Sequence, residues 1–317
     1  MVIFPKVTVV VPAYNVRSYI EDALVSLERQ SFDRFEVIVV DDGSTDDTAE
    51  LVKPFCERDS RFQLVQKQNG GLSSARNYGI HHACGEYIAL LDGDDVYEQD
   101  KLAAHVALLD RDTDVGVAYS ASRAIREDGR STFMYLSGKP ITSDPLLALL
   151  CKNFIGHGSN AVFRRAVFDQ VGEFDETLRS SEDVDFWLRV AATRRWRFDR
   201  KPRVLCRYRV RPSGLSFNVL QMQRCCTQVI ESAYQRSPEV VESMLPTAYA
   251  YMYRYLARLS LTAGDAEQAR DFIDQALAAD YAIFYRDPRS LLTLAAVRLA
   301  PLAKLIIGRS LGSVKAR

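Results

Sequence analysis

Short apolar runs alternate with amphipathic stretches along the first half of the chain. Val7-Thr8-Val9-Val10-Val11 is β-branched and unbroken, the pattern of a strand buried on both faces. From Ser18 onward, Tyr19, Ile20, Ala23, Leu24 and Leu27 recur at helical spacing, and residues 35–40 return to the strand pattern. Ser44-Thr45-Asp46-Asp47 reads as the start of a second helix, with Ser44 and Asp47 as its capping side chains. The same reading predicts a strand at 62–65, a helix at 73–84, a strand at 86–91, a helix at 98–110 and a strand at 115–119. Strand and helix in alternation imply an α/β fold with a mostly parallel central sheet flanked by helices. In such sheets the ligand lies beyond the carboxyl ends of the strands.

Beyond residue 125 the pattern is mixed. A hairpin turning at Glu127-Asp128-Gly129, a helix at 182–193 and strands near Arg197 and Val204 are expected. After Asn218 the chain turns helical. Residues 256–279, hinged at Gly264-Asp265, resemble one tetratricopeptide-like hairpin, too few for a repeat array. The expected organisation is a catalytic α/β domain over residues 1–218 and a helical C-terminal extension over 219–317.

Charge and composition narrow the function. Lys plus Arg number 41 and Asp plus Glu 41, so no overall field draws the chain to nucleic acid. The six cysteines (Cys56, Cys84, Cys151, Cys206, Cys225, Cys226) form no C-x-x-C pair and have no histidine at ligand spacing, which reads as buried or inert thiols of a reducing compartment rather than as disulfides or a zinc site. The N-terminal residues lack a signal-peptide pattern, and no run reaches the roughly 20 apolar residues of a membrane span. A cytoplasmic protein is expected.

The chemistry gathers where the sheet rule puts it. Pro12-Ala13-Tyr14-Asn15 follows the first strand, Asp41-Asp42-Gly43-Ser44-Thr45-Asp46 the second, and Asp92-Gly93-Asp94-Asp95 the fourth. Carboxylates crowded into one crevice repel one another unless a cation or a donor-rich ligand compensates. One helix cap does not need three carboxylates, so Asp92, Asp94 and Asp95 point to a hard cation such as Mg²⁺, whose remaining positions take water and substrate phosphates. Val96-Tyr97-Glu98 does not continue as an EF-hand, no G-x-G-x-x-G follows the first strand, and no G-x-x-x-x-G-K-[ST] loop is present.

Taken in order, these segments resemble the successive motifs of family 2 glycosyltransferases, which have the GT-A nucleotide-sugar-binding fold. The matching stretches are Val10-Val11-Pro12-Ala13-Tyr14-Asn15, Val39-Val40-Asp41-Asp42-Gly43-Ser44-Thr45-Asp46, Asn69-Gly70-Gly71-Leu72-Ser73-Ser74-Ala75-Arg76-Asn77 and Leu91-Asp92-Gly93-Asp94-Asp95. Gly172-Glu173-Phe174-Asp175-Glu176, Ser181-Glu182-Asp183-Val184-Asp185-Phe186-Trp187 and Tyr208-Arg209 resemble the acceptor-side half, so the likeness runs over residues 5–218.

The resemblance implies an inverting, non-processive transfer of sugar from a nucleoside-diphosphate donor, a UDP-sugar foremost, to an acceptor hydroxyl. It implies a place in bacterial cell-surface polysaccharide or glycolipid synthesis, the alternative being an inactive nucleotide-sugar-binding or scaffold protein. Pro12, Tyr14, Asn15, Asp41, Asp42, Arg76, Asp92 and Arg211 would bind the donor nucleotide, Asp42 by accepting from the base N–H. Asp94 with Asp92 would hold Mn²⁺ or Mg²⁺. Asp183 would take the acceptor proton, with Glu182 orienting the acceptor, a sugar or a lipid-linked sugar. Many relatives carry a metal-ligating His two residues beyond the Arg of Tyr208-Arg209; here that position is Arg211, which cannot ligate a cation but can hold phosphate. His81 and His82 fall on a helix surface, and His157 precedes Gly158-Ser159-Asn160 near the acceptor side. From Pro288 to Arg317 six basic residues (Arg289, Arg298, Lys304, Arg309, Lys315, Arg317) and no acidic one interleave with leucines and isoleucines, a pattern suited to peripheral contact with the inner face of a membrane, and Pro301 is expected to kink or divide the helix.

Overall fold

The structure is a computed structural model that describes residues 4–137, 141, 144–211 and 218–312; of residue 137 and of residues 301–312 only the backbone is described. It divides into two compact units, Met1–Leu149 with Asn153–Pro212, and Leu150–Lys152 with Ser213–Arg317.

The first unit begins as the alternation predicts: β1 (Val7–Ala13), α1 (Ile20–Glu28), β2 (Phe35–Asp41), α2 (Thr48–Arg58), β3 (Phe62–Gln66), α3 (Leu72–His81) and β4 (Tyr87–Leu90). Every residue of β1 and β4 is buried, which is why both read as unbroken apolar runs. The chain continues through β5 (Val96–Tyr97), α4 (Lys101–Arg111), β6 (Val115–Ile125), β7 (Ser131–Ser137), α5 (Pro145–Cys151), β8 (Val162–Arg164), α6 (Arg165–Val171), α7 (Glu182–Ala192) and β9 (Arg197–Arg209). The sheet order is β3-β2-β1-β4-β8-β6-β9-β5, with β7 paired to β6. Pairing is parallel across β3-β2-β1-β4 and again between β6 and β9, and antiparallel where β8, β5 and β7 join. This is the expected α/β fold, a central sheet with a parallel block and flanking helices.

On one face Val7, Val9, Val11, Val37 and Val39 pack with Ile20, Leu24 and Leu27 of α1 and Leu102 and Leu109 of α4. On the other, α3 approaches so closely that a Cβ on Gly79 would stand 2.4 Å from Val10 Cγ1, so only glycine fits. The parallel register, Val7 opposite both Phe35 and Tyr87, brings three loops to one edge. Pro12 O accepts from Gly93 N at 3.2 Å and Ala13 O from Asp42 N at 2.8 Å.

Three details differ from the sequence reading. Helix α2 starts at Thr48, too late for Ser44 to reach its first amides, and Asp47 makes no side-chain cap. Ser44 Oγ instead accepts from Asn15 N, while Asp46 Oδ1 accepts from Thr48 N. The two strands expected near Arg197 and Val204 are one strand, β9, whose register shifts on β6 between Lys201 and Val204 absorb Pro202. Cys84 is exposed rather than buried; all six cysteines are free.

The second unit is helical: α8 (Val219–Arg236), α9 (Pro238–Val241), α10 (Leu245–Thr262), α11 (Ala266–Asp280), α12 (Ile283–Arg286) and α13 (Pro288–Gly312). α10 and α11 form the expected hairpin, with Gly264 left-handed at φ +86 and Asp265 capping α11 by accepting from Gln268 N. α13 runs through Pro301 without dividing. No described helix is long and apolar enough to cross a membrane. The side chains of Lys304 and Arg309, and all of Lys315 and Arg317, lie outside what the structure describes.

Candidate active site

The loops after β1 and β2 hold each other. Asn15, left-handed at φ +51, accepts through Oδ1 from Thr45 N at 2.8 Å. Tyr14 beside it is exposed. Asp41 is buried and accepts from Ser44 N at 3.0 Å and Gln66 Nε2 at 2.9 Å. Asp42, also buried, accepts from Gly71 N at 2.7 Å and Gly70 N at 3.0 Å and pairs with Lys67 Nζ at 2.8 Å. Asp42 therefore organises the Asn69-Gly70-Gly71 turn that leads into α3, where Gly71 takes a φ of +93.

The loop after β4 carries the other carboxylates. Asp92 N donates to Ser159 Oγ at 3.0 Å, Ser159 Oγ donates to Asp95 Oδ2 at 2.6 Å, and Arg209 N donates to Asp95 Oδ1 at 2.8 Å. Asp95 is fully buried and braces the loop, whereas Asp92 and Asp94 keep some exposure. Burial, then the nearby Asp95, pushes the Asp94 carboxyl up to about 7, with Arg211 acting in the opposite direction at 2.7 Å. A carboxyl raised first by burial and then by a neighbouring carboxylate is one that a bound divalent cation would hold ionised, and the oxygen donors of Asp92 and Asp94 fit Mn²⁺ or Mg²⁺.

Arg211 occupies the mouth of this loop. Its guanidinium pairs with Asp94 and lies over the Tyr19 ring at 5.2 Å. Arg209 lies over the same ring at 4.9 Å, donates to Asp94 O at 2.8 Å and pairs with Asp22 at 2.8 Å. Arg209 thus clamps the acidic loop to α1, a role its place in the sequence did not disclose.

Residues distant in sequence complete the crevice. Arg76, on α3 and 1% exposed, donates to Asp92 Oδ1 at 2.8 Å and to Glu182 Oε1 at 2.5 Å. Burial opposes its charge, and Asp92 and Glu182 outweigh that, so the guanidinium stays charged. A Cβ on Gly158 would meet Arg76 Nη2 at 2.2 Å, so glycine there lets the guanidinium reach both acids. Glu182 and Asp183 open α7, both buried, after Ser181 in a left-handed turn at φ +60. Burial raises both carboxyls above their ordinary range, with Arg76 acting against it. Asp183 Oδ2 accepts from Asn153 Nδ2 at 3.1 Å. Of the residues singled out from the sequence, Arg76, Asp92 and Glu182 form one ion-paired network with the Asp183 carboxylate in its field, and Asp94 joins Arg211. Asp41, Asp42 and Asn15 instead hold the neighbouring loops together. Asn153, Gly158 and Ser159 carried no motif signal that sequence reading could use.

Strand-end carboxylates thus face a helix-borne pair of buried acids across one crevice of an α/β fold. The family model for glycosyl transferase family 2 matches residues 8–172, and the chain belongs to that family. An uncharacterized glycosyltransferase of Rickettsia bellii is 32% identical over 195 residues, 59% of this chain and 26% of that protein. The uncharacterized glycosyltransferase EpsJ of Bacillus subtilis is 33% identical over 200 residues, 57% of this chain and 55% of its own. The chain thus spans between about a quarter and just over half of these two relatives' length. Among solved structures, Staphylococcus aureus TarS 1–349 in complex with UDP superposes with TM-score 0.57 at 21% identity, covering 89% of this chain and 92% of that one. The Pyrobaculum calidifontis mannosyltransferase PcManGT, in complex with GDP-Man and Mn²⁺, superposes with TM-score 0.62 at 24% identity, covering 95% and 87%. At these identities the two structures share the fold.

Proposed function

We propose that the chain is an inverting, single-transfer glycosyltransferase that takes a sugar from a nucleoside-diphosphate donor, a UDP-sugar foremost, to an acceptor hydroxyl in cell-surface polysaccharide or glycolipid synthesis. The observation that supports this most is the Arg76 bridge from Asp92 to Glu182, which joins the donor-side loop to the acidic start of α7 through one buried guanidinium. Asp183, with its raised affinity for a proton, takes the acceptor's proton as the hydroxyl attacks the anomeric carbon from the face opposite the leaving group. Glu182, fixed in place by its ion pair with Arg76, orients the acceptor. Asp94 and Asp92 would hold Mn²⁺ or Mg²⁺, which when bound offsets the charge growing on the departing diphosphate. Arg211 swings from Asp94 to the diphosphate as the donor arrives, its planar fork matching two phosphate oxygens. Pro12, Tyr14, Asn15, Asp41 and Asp42 line the base pocket, and Asp42 accepts from the base N–H by giving up one of its present partners, Gly70, Gly71 or Lys67. Screening nucleoside diphosphates by thermal unfolding tests the reading: at least one is expected to stabilise the chain in Mn²⁺ and to lose that effect in EDTA. No stabilisation by any of them contradicts it.

The enzyme works in the cytoplasm, at the inner face of the membrane, on a sugar or lipid-linked acceptor. On α13, Leu291, Leu292 and Leu299 are exposed at 54%, 69% and 57%, and Tyr285 on α12 at 85%, an uncovered apolar surface among Arg286, Arg289 and Arg298. Full-length protein is expected to sediment with anionic liposomes and a chain ending at Arg286 to remain in solution; equal partitioning removes the membrane role.

A further inference from the structure

Behind the acidic loop lies a group of ligating side chains that sugar transfer leaves unused. Asp95 after β4, His157 before the Gly158–Asn160 turn and Cys206 on β9 are all buried, and a carboxylate oxygen, a ring nitrogen and Sγ lie within 4.8 Å of one another. His157 is 7% exposed; its Nε2 meets Ser122 Oγ at 2.8 Å, but its Nδ1 has no hydrogen bond and faces Asp95 Oδ2 at 3.5 Å. With the ring proton on Nε2, donated to Ser122 Oγ, Nδ1 and the carboxylate oxygen are both acceptors and tolerate such a contact only with a cation between them; the other tautomer would place its own N–H there. Two ligand atoms, each about 2.0–2.1 Å from one tetrahedral ion, stand about 3.4 Å apart, which is the separation seen.

We propose that Asp95, His157 and Cys206 bind a zinc-class ion, separate from the hard cation assigned to Asp92 and Asp94. The donor set decides the class. Thiolate and imidazole favour Zn²⁺, whereas Mg²⁺ and Mn²⁺ favour the all-oxygen site in front. Ser122 Oγ, by accepting from Nε2–H, would hold the imidazole with its Nδ1 lone pair inward. When bound, the ion would take Cys206 as thiolate, the displaced proton leaving to the bulk buffer, and thiolate and carboxylate would together cancel its charge. The competing arrangement has Lys101, fully buried with Nζ on Asn160 O, as the cation that balances Asp95, with thiol and imidazole both neutral. Asp95 also takes the Ser159 and Arg209 hydrogen bonds, so the ion would brace the Asp92–Asp94 loop from behind.

Metal content and cobalt spectroscopy decide between the two. Full-length protein grown with zinc is expected to retain about one Zn²⁺ per chain through dialysis that strips Mg²⁺, and Co²⁺ exchanged into it to give a thiolate-to-cobalt band in the near ultraviolet. The band is expected to vanish in Cys206→Ser and to persist in Asp94→Ala, which separates this site from the nucleotide-linked one. Wild-type protein with only trace zinc and a featureless spectrum after Co²⁺ addition overturns the proposal even if the variants fail to fold. So does a band that survives Cys206→Ser.

Discussion

Asp183→Asn is expected to slow sugar transfer by roughly 10²–10⁴-fold, the usual worth of a general base, while nucleoside diphosphate affinity stays within a few-fold. The amide keeps the shape of the side chain and one oxygen to accept from Asn153 or from Val184 N, so α7 and its neighbours hold. What it loses is the ability to take a proton from an acceptor hydroxyl, a poor nucleophile until that proton leaves. Nucleoside diphosphate released from the donor reports the rate, and calorimetry reports the affinity. The competing view is that Glu182 and Asp183 are first-turn carboxylates favoured by the positive end of the α7 dipole. It requires a near-normal rate together with a lowered melting temperature.

The second large effect falls on the opposite property. Asp94→Ala, or EDTA on the wild type, is expected to weaken nucleoside diphosphate binding by about 100-fold, since a cation worth several kcal/mol to the phosphates is removed. The pH dependence follows from the crowding. Burial and Asp95 place the Asp94 carboxyl at about 7, so below that pH a proton competes with the cation for it. Metal-dependent affinity in the wild type should therefore rise as the pH climbs through about 7, and that rise should be missing in Asp94→Ala. Calorimetric titrations in Mn²⁺ across this range decide it, and unchanged affinity in EDTA would remove the metal from the account.

The first half of the molecule was legible because parallel, doubly covered strands leave unbroken β-branched runs. The acidic segments stood out because they begin where those runs end, as Asp41 does after Val40 and Asp92 after Leu91. The second half hid its strands for physical reasons. β8 is three residues long and β5 two, and β9 contains Pro202 at a bulge, so none shows a sustained period. Side-chain partnerships were less visible still. Arg76 meets Glu182 across 106 residues, and His157 meets Asp95 from a loop far along the chain, pairings that no local pattern encodes. Asp42 illustrates the same limit from the other side. Its motif points to a nucleotide, while Gly70, Gly71 and Lys67 already occupy most of its lone pairs.

The central claim is a single displacement assisted by Asp183 with inversion at the anomeric carbon. Slow hydrolysis of the donor, with water in place of the acceptor, exposes that step directly. Proton NMR of the protein with a stabilising nucleotide-sugar and Mn²⁺ should show the first-formed free sugar with the anomeric configuration opposite to the donor's, at a rate that falls in Asp183→Asn. First-formed sugar of retained configuration, or equal rates for wild type and Asp183→Asn, would contradict it.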